Sequence, residues 1–477
     1  MRPLEILIVL LNLAALVRVY LPTRWQHRWF RFLPAAIVVI TLAHLFLEQY
    51  RWQMVPAYLM TAVLFLRTLP SLLRHSGMMA VRGARAFLAG GFGGFGWLIA
   101  VALPMILPVP RLPTPPGPNA VGSVLYDWTD LTRAESYSSD PQAKRELMVQ
   151  IWYPAQPSAT ARPMPLMDHF DVAAPTLAQS IGLPSFALDH LRLVQTHTYS
   201  DAPLRNDGAP YPVVLSSHGY TGYRNEAFNQ MEALASAGYI AVAIDHPYAA
   251  AFTVFANGRG VVNDPTMLPP AGRNQPGDQA LREKLDAVVS ADQRFVLDQL
   301  QLLNAGRLDL RFAGKLDLQR IGLMGLSLGG GAIVWTCSVD VRCKAGLAMD
   351  GWYEPLPQTV LAAPLRQPFM FMQSETTMWK MDNLARLGRL YQNVAAPAYH
   401  LKFAGVLHDD FSDYPLLTPL SAPLMHERGT LKGDRTVSMI DAYMLAYFDQ
   451  YLKQRPSPLL NGPSPDYPEA QFESHAP

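Results

Sequence analysis

The chain has 477 residues, half of them hydrophobic and only 16% charged, against roughly a quarter charged in a typical soluble domain. The apolar content excludes a disordered chain, glycine without a period excludes collagen, and two cysteines exclude a disulfide-stapled scaffold. The net charge of +1 conceals a division: residues 1–117 carry eleven Arg, no Lys, two Glu and no Asp, whereas the other 360 carry 28 basic and 36 acidic side chains.

The arginine-rich part, residues 1–107, reads as a membrane region of three to four transmembrane helices. Leu4 to Tyr20 surrounds the apolar run Ile6–Val17 with Glu5, Asn12 and Arg18. It fits a first span, a signal anchor or a cleaved signal peptide, and the absence of a prompt small-residue cleavage site favours a retained span. Phe32–Leu47 and Gln53–Leu66 are short spans that Trp29, Trp52 and nearby arginines extend into the interfaces. Ala86–Leu107 runs 22 residues without a charge, enough to cover a hydrocarbon core of about 30 Å. Its Gly90 and Gly94 form a small-residue pair, read as ordinary packing inside the bundle. His44 has no obvious charged partner and reads as a lone packed histidine.

Basic residues alternate between the connections. Arg24, Arg28 and Arg31 precede the second apolar run and Arg74, Arg82 and Arg85 precede the fourth, but only Arg51, with Glu48, lies between the second and third. The positive-inside rule then makes both arginine-rich segments cytoplasmic and everything beyond Leu107 extracytoplasmic. The expected location is a multi-pass protein of an inner or plasma membrane.

Residues 108–118 (PVPRLPTPPGP) hold six prolines in eleven positions, a semi-rigid linker. From 119 to 455 the pattern becomes short apolar runs. Glu146–Tyr153, Leu191–His197, Pro212–Ser217, Ile240–Ile244, Arg320–Gly325, Ala345–Met349, Phe369–Met372 and Tyr399–Phe403 read as strands. Helical stretches are expected at Asn225–Ala237, Gln279–Leu303, Leu328–Cys337, Thr377–Gln392 and Arg435–Leu452. This alternation predicts an α/β domain with a mainly parallel sheet, its early strands forming an antiparallel edge. Asn257-Gly258 marks a hairpin within Phe252–Val262, Met164–His190 is a candidate cap, and the proline-rich tail 456–477 is expected to fray.

Gly325-Leu-Ser-Leu-Gly329 joins one predicted strand to the next helix. Small residues permit a sharp turn there, which lifts the hydroxyl of Ser327 above the sheet, as in the nucleophile elbow of the α/β-hydrolase fold. A serine needs a base, and the chain order of that fold is Ser, acid, His. His408, in the loop after the last strand, is the candidate base, ahead of His426 in a later proline-rich loop. Asp350 and Glu375 end successive strands and both could orient the imidazole; spacing does not choose between them. The amides of Leu328, just after the serine, and Tyr220, in the Ser217-His-Gly-Tyr-Thr-Gly222 turn, are the candidate oxyanion donors. His218 is read as stabilising that turn. Cys337 and Cys343 are equally readable as a disulfide or as two thiols.

Several motifs in order carry a family resemblance: Lys144–Pro154, Ser217–Gly222, Ile244-Asp-His-Pro247, Gly325–Gly330, Leu347-Ala-Met-Asp-Gly-Trp352 and Phe403–Phe411. Over roughly residues 120–455 the chain resembles the plasma-type platelet-activating-factor acetylhydrolases and the bacterial members called predicted dienelactone hydrolases. The resemblance implies that Asp350 is the triad acid and that no metal or cofactor is needed. It also implies short or oxidised acyl esters of phospholipids as substrates, with no nucleic-acid partner. The other readings are a broad short-chain, polyester or dienelactone-type esterase, and a non-catalytic ligand-binding domain on a membrane anchor. The membrane region departs from the secreted animal enzymes, so lipoprotein binding is not carried over.

Overall fold

The computed structural model describes residues 1–18, 28–74, 84–207, 210–270, 275, 277–419 and 427–476. It divides into two compact units. One contains Met1–Pro110 with the short segments Asp189–Leu193 and Leu417–Leu420, and the other contains the rest.

The first unit is helical: α1 (Pro3–Arg18), α2 (Leu33–Leu47), α3 (Val55–Arg74) and α4 (Ala84–Ile106). With the turn before it, α2 forms a 19-residue apolar stretch, Trp29–Leu47, the one described helix long and apolar enough to cross a membrane. Gly91–Ile106 of α4 is a shorter apolar helix. The arginines at 24 and 82 lie outside the described residues.

α1 packs against the other three helices. Its Asn12 amide donates to the Ala57 carbonyl at 3.1 Å and to Thr61 Oγ1 at 2.9 Å, and the Trp97 indole donates to the Val9 carbonyl at 2.9 Å. Arg51, fully buried, makes a two-pronged pair with Glu5, both contacts 2.6 Å, and donates to the Leu107 carbonyl. Arg2 bonds Glu5 and the carbonyls of Glu48 and Gln49. His44 is therefore not the lone histidine the sequence suggested: Nδ1 lies 3.0 Å from Glu48 and Nε2 lies 2.7 Å from the Tyr58 hydroxyl. Glu5, His44 and Glu48 lie close enough to surround a cation. Arg2 and Arg51, however, already balance their two carboxylates. Among the described residues nothing lies within 4 Å of where a side chain at Gly94 would project, whereas Gly93 faces Leu16.

The second unit is built on ten strands ordered β12-β11-β10-β9-β8-β4-β5-β2-β1-β3. In chain order the elements are β1 (Ala120–Ala134), β2 (Lys144–Ala155), α5 (Phe170–Ser180), β3 (Thr198–Ser200), β4 (Tyr211–Ser217), α6 (Phe228–Ser236) and β5 (Ile240–Ile244). A separate hairpin follows, β6 (Phe252–Val254) with β7 (Gly260–Val262). Then come α7 (Asp278–Asn304), β8 (Leu316–Leu326), α8 (Leu328–Val339), β9 (Cys343–Met349), α9 (Gln358–Ala362), β10 (Phe369–Gln373) and α10 (Met381–Gln392). The chain finishes with β11 (Ala398–Phe403), α11 (Tyr414–Leu417), α12 (Gly433–Leu452) and β12 (Ala470–His475). Six strands, β5, β4, β8, β9, β10 and β11, are parallel, and β2 and β1 add antiparallel at one edge. The central strands are apolar on both faces because helices cover both: Val213, Leu215, Val242, Leu323, Ala348 and Phe371 are all fully buried.

Three segments differ from expectation. Asp189–Leu193 is a single helical turn and the strand comes later, at Thr198–Ser200. The tail does not fray: β12 pairs antiparallel with β11 through Ala398 to His475. The long strand β1 was not expected at all. Cys337 and Cys343, at the end of α8 and the start of β9, are joined as a disulfide.

Candidate active site

Parallel strands deliver their carboxyl ends to one edge of a sheet, and ligands bind in crevices there. Ser327 sits between β8 and α8 with φ 55° and ψ −116°, a left-handed conformation that costs about 1–3 kcal/mol and persists only where its surroundings enforce it. They do. Its N–H donates to the Met349 carbonyl at 3.0 Å, and its own carbonyl accepts from Gly331 and Trp352. A side chain at Gly325 would collide with Gly329, and one at Gly329 would collide with the Ser217 carbonyl. The two flanking glycines therefore have steric causes.

Asp350 follows β9, next to the Met349 that holds Ser327, and it too is left-handed, with φ 45°. Its carboxylate is buried and engaged on both oxygens: Oδ1 accepts from the Ser374 amide at 2.9 Å, and Oδ2 accepts from His408 Nδ1 at 2.6 Å and from the Trp379 indole at 2.9 Å. Glu375 is elsewhere. It accepts from the Gly405 amide at 2.8 Å and its own amide donates to Val406, so it braces the loop that carries His408. His426 lies outside the described residues. Burial disfavours the charged imidazole of His408, but the bond to Asp350 and the nearby Asp409 and Glu427 outweigh it and lift His408 above the ordinary histidine range.

Among the described residues Ser327 Oγ makes no hydrogen bond, to His408 or to anything else. Such contacts are often long without substrate. The turn after β4 lies against the serine, with Gly219 placed so that a Cβ there would be 3.1 Å from the Ser327 Cβ. The amides of Tyr220 and Leu328 have no intramolecular acceptor among the described residues. A patch of apolar side chains adjoins them: Leu328 packs with Ala249, Met267 and Ala332, flanked by Tyr220, Tyr248 and Trp352.

Behind this turn lies a polar network that the sequence reading did not assign. His218 is buried, with Nδ1 on the Gly219 carbonyl and Nε2 accepting from the His246 amide; burial and the neighbouring His246 push it down to about 3, so it remains neutral. This suits the turn-stabilising role expected of it. Asp245 accepts from the Arg224 amide at 2.6 Å. His246 bridges Ser217 Oγ, at 3.1 Å, and Asp292, at 3.0 Å. Arg145 clamps Asp292 with two bonds and, against the effect of burial, holds that carboxyl well below its usual range. The Ile244–Pro247 and Lys144–Pro154 motifs were visible in the sequence, but their purpose depends on contacts across more than a hundred residues.

Glu226 accepts from the Gly219 amide at 3.2 Å, and burial pushes its carboxyl up to about 8. The folded chain thus keeps a proton that the unfolded chain releases above its ordinary 4.5. The stabilisation from this group is complete below that value and is lost as pH rises toward 8. Glu226→Gln is neutral throughout and keeps an oxygen for Gly219. Its melting temperature relative to the unsubstituted protein should therefore increase between pH 5 and pH 8. A constant difference across that range would refute a buried titrating carboxyl.

The family model described as platelet-activating factor acetylhydrolase, isoform II, matches residues 109–457. The chain belongs to this family. It is 25% identical over 365 residues to a platelet-activating factor acetylhydrolase of Cavia porcellus, covering 72% of this chain and 78% of that one. It is 24% identical over 401 residues to a probable 1-alkyl-2-acetylglycerophosphocholine esterase of Arthroderma benhamiae, covering 76% of this chain and 93% of the other. Among solved structures, a ferulic acid esterase from Streptomyces cinnamoneus aligns with a TM-score of 0.63 and 27% identity over 76% of this chain and 99% of its own. This acetylhydrolase-family chain is accordingly an enzyme that hydrolyses carboxylic esters.

Proposed function

We propose that the protein is a membrane-anchored serine hydrolase that cleaves short or oxidised acyl esters of phospholipids through an acyl-enzyme. The observation that carries the reading is the 2.6 Å pairing of His408 with Asp350, whose neighbour Met349 holds the strained backbone of Ser327. Ser327 Oγ attacks the ester carbonyl as His408 Nε2 takes its proton, and Asp350 keeps the Nδ1 proton in place. The amides of Leu328 and Tyr220 stabilise the oxyanion. His408 then protonates the departing lysolipid alcohol, and water, activated by the same imidazole, releases the acyl group.

In this reading α1 to α4 all span the bilayer, a proline-rich linker occupies 108–118, and the catalytic domain of 119–455 is extracytoplasmic, with the 456–477 tail added to its sheet through β12. Two observations favour that arrangement. Cleavage of α1 would leave Arg51 buried without Glu5, at a cost of about 3–5 kcal/mol for a broken buried pair. The Cys337–Cys343 disulfide suits an oxidising compartment.

A second reading is a broader esterase of aryl or short-chain esters, favoured by the likeness to nearly the whole of the ferulic acid esterase and by the aromatic side chains beside Leu328. One experiment addresses chemistry and sidedness together. A membrane-impermeant fluorophosphonate applied to intact cells should label the protein, with the modified peptide containing Ser327. Labelling only after lysis would overturn the orientation, and no labelling in either case would overturn the mechanism. Acetylated phospholipid preferred over nitrophenyl and feruloyl esters supports the first substrate class, and the reverse order supports the second.

A further inference from the structure

We infer that Trp379 is a positioning residue for the His408–Asp350 pair, an inference that rests on the triad proposed above. Trp379 lies in the loop between β10 and α10, partly exposed, and the sequence drew no attention to it. Two of its contacts converge on one place. Its Nε1–H donates to Asp350 Oδ2, the same oxygen that receives His408 Nδ1, and its ring meets the imidazole edge to face, with centroids 5.2 Å apart and planes at 87°.

Each contact has a distinct consequence. The indole N–H withdraws charge from Oδ2, so it moderates the grip of Asp350 on the imidazolium while fixing the carboxylate in plane with Nδ1. The ring blocks rotation of the imidazole away from Ser327, and perpendicular aromatic contacts of this kind contribute about 0.5–1.5 kcal/mol beyond burial. Among the described residues the titratable groups around His408 are Asp350 after β9, Asp409 in its own loop, Glu427 beyond α11, and Glu226 before α6. Asp409 and Glu427 also raise His408, but among the described residues only Asp350 bonds its ring, so the Asp350 bond is the part of its basicity that Trp379 tunes.

Trp379→Phe keeps an aromatic ring and loses the N–H; Trp379→Ala loses both. With the full chain in detergent and p-nitrophenyl acetate as substrate, the acid limb of kcat/KM in Trp379→Phe should move upward by about half a pH unit or more. In Trp379→Ala, kcat should fall about tenfold with KM within about twofold, since a misdirected base slows chemistry rather than binding. An unmoved acid limb in the folded Phe variant would overturn the inference, as would an effect confined to KM, which would make the indole a substrate contact. Ser327→Ala separates the two levels. If that variant retains activity, the triad itself fails. If it is inactive while Trp379→Phe behaves as the unsubstituted enzyme, only the role of Trp379 fails.

Discussion

Ser327→Ala is expected to lower kcat on p-nitrophenyl acetate by about 10⁵- to 10⁶-fold, the scale on which serine hydrolases lose activity without their nucleophile. The expectation follows from the local geometry. The serine lies at the end of β8 in a backbone conformation that alanine also finds costly, held by bonds from its own N–H and carbonyl rather than by its hydroxyl. Removing Oγ therefore takes away the attacking atom and little else. The melting temperature should stay within a few degrees of the unsubstituted protein, which distinguishes lost chemistry from lost fold. Residual hydrolysis above the water rate would come from the oxyanion donors and binding alone. Turnover within tenfold of the starting enzyme would end the serine mechanism.

Asp350→Asn should reduce kcat by about 10⁴-fold, whereas Glu375→Gln should leave it within about fivefold. An asparagine at 350 presents an NH₂ or a carbonyl where His408 Nδ1, Trp379 Nε1 and the Ser374 amide all require acceptors. At least one of these donors is left opposed, and the imidazole is driven toward the tautomer that cannot take a proton from Ser327. Glutamine at 375 still offers an oxygen to the Gly405 amide. Steady-state kinetics at saturating substrate measures both, and the reverse ranking would transfer the acid to the later strand.

The parts of the molecule legible in the sequence were those written locally. The apolar run into Gly325, the small residues after Ser327 and the loop after Phe403 each announce a strand, a turn or a helix within about ten residues. The edges of the sheet were not legible for the opposite reason. Strand β1 mixes Asp127, Thr129 and Thr132 with its apolar residues because part of it faces water, and in β12 only Ala470 is buried. Such strands are specified by the neighbour they pair with rather than by their own composition. The same holds for the network. Nothing near Asp292, midway along α7, hints that Arg145 and His246 will close upon it, and nothing near Glu5 hints at Arg51. The choice between Asp350 and Glu375 was open on spacing because both end parallel strands; the fold separates them by which one reaches the imidazole.

Ser217, His246 and Asp292 repeat the bonding order of a proteolytic relay, hydroxyl to imidazole to carboxylate, in the sealed interior. Gln293 also caps that hydroxyl at 2.9 Å. One polypeptide thus holds the same three functional groups twice: here the hydroxyl is saturated and walled off, whereas the hydroxyl of Ser327 makes no hydrogen bond among the described residues. Three matching residue types therefore do not by themselves make a nucleophile: a hydroxyl bonded on more than one side in a closed interior leaves an ester no place to approach.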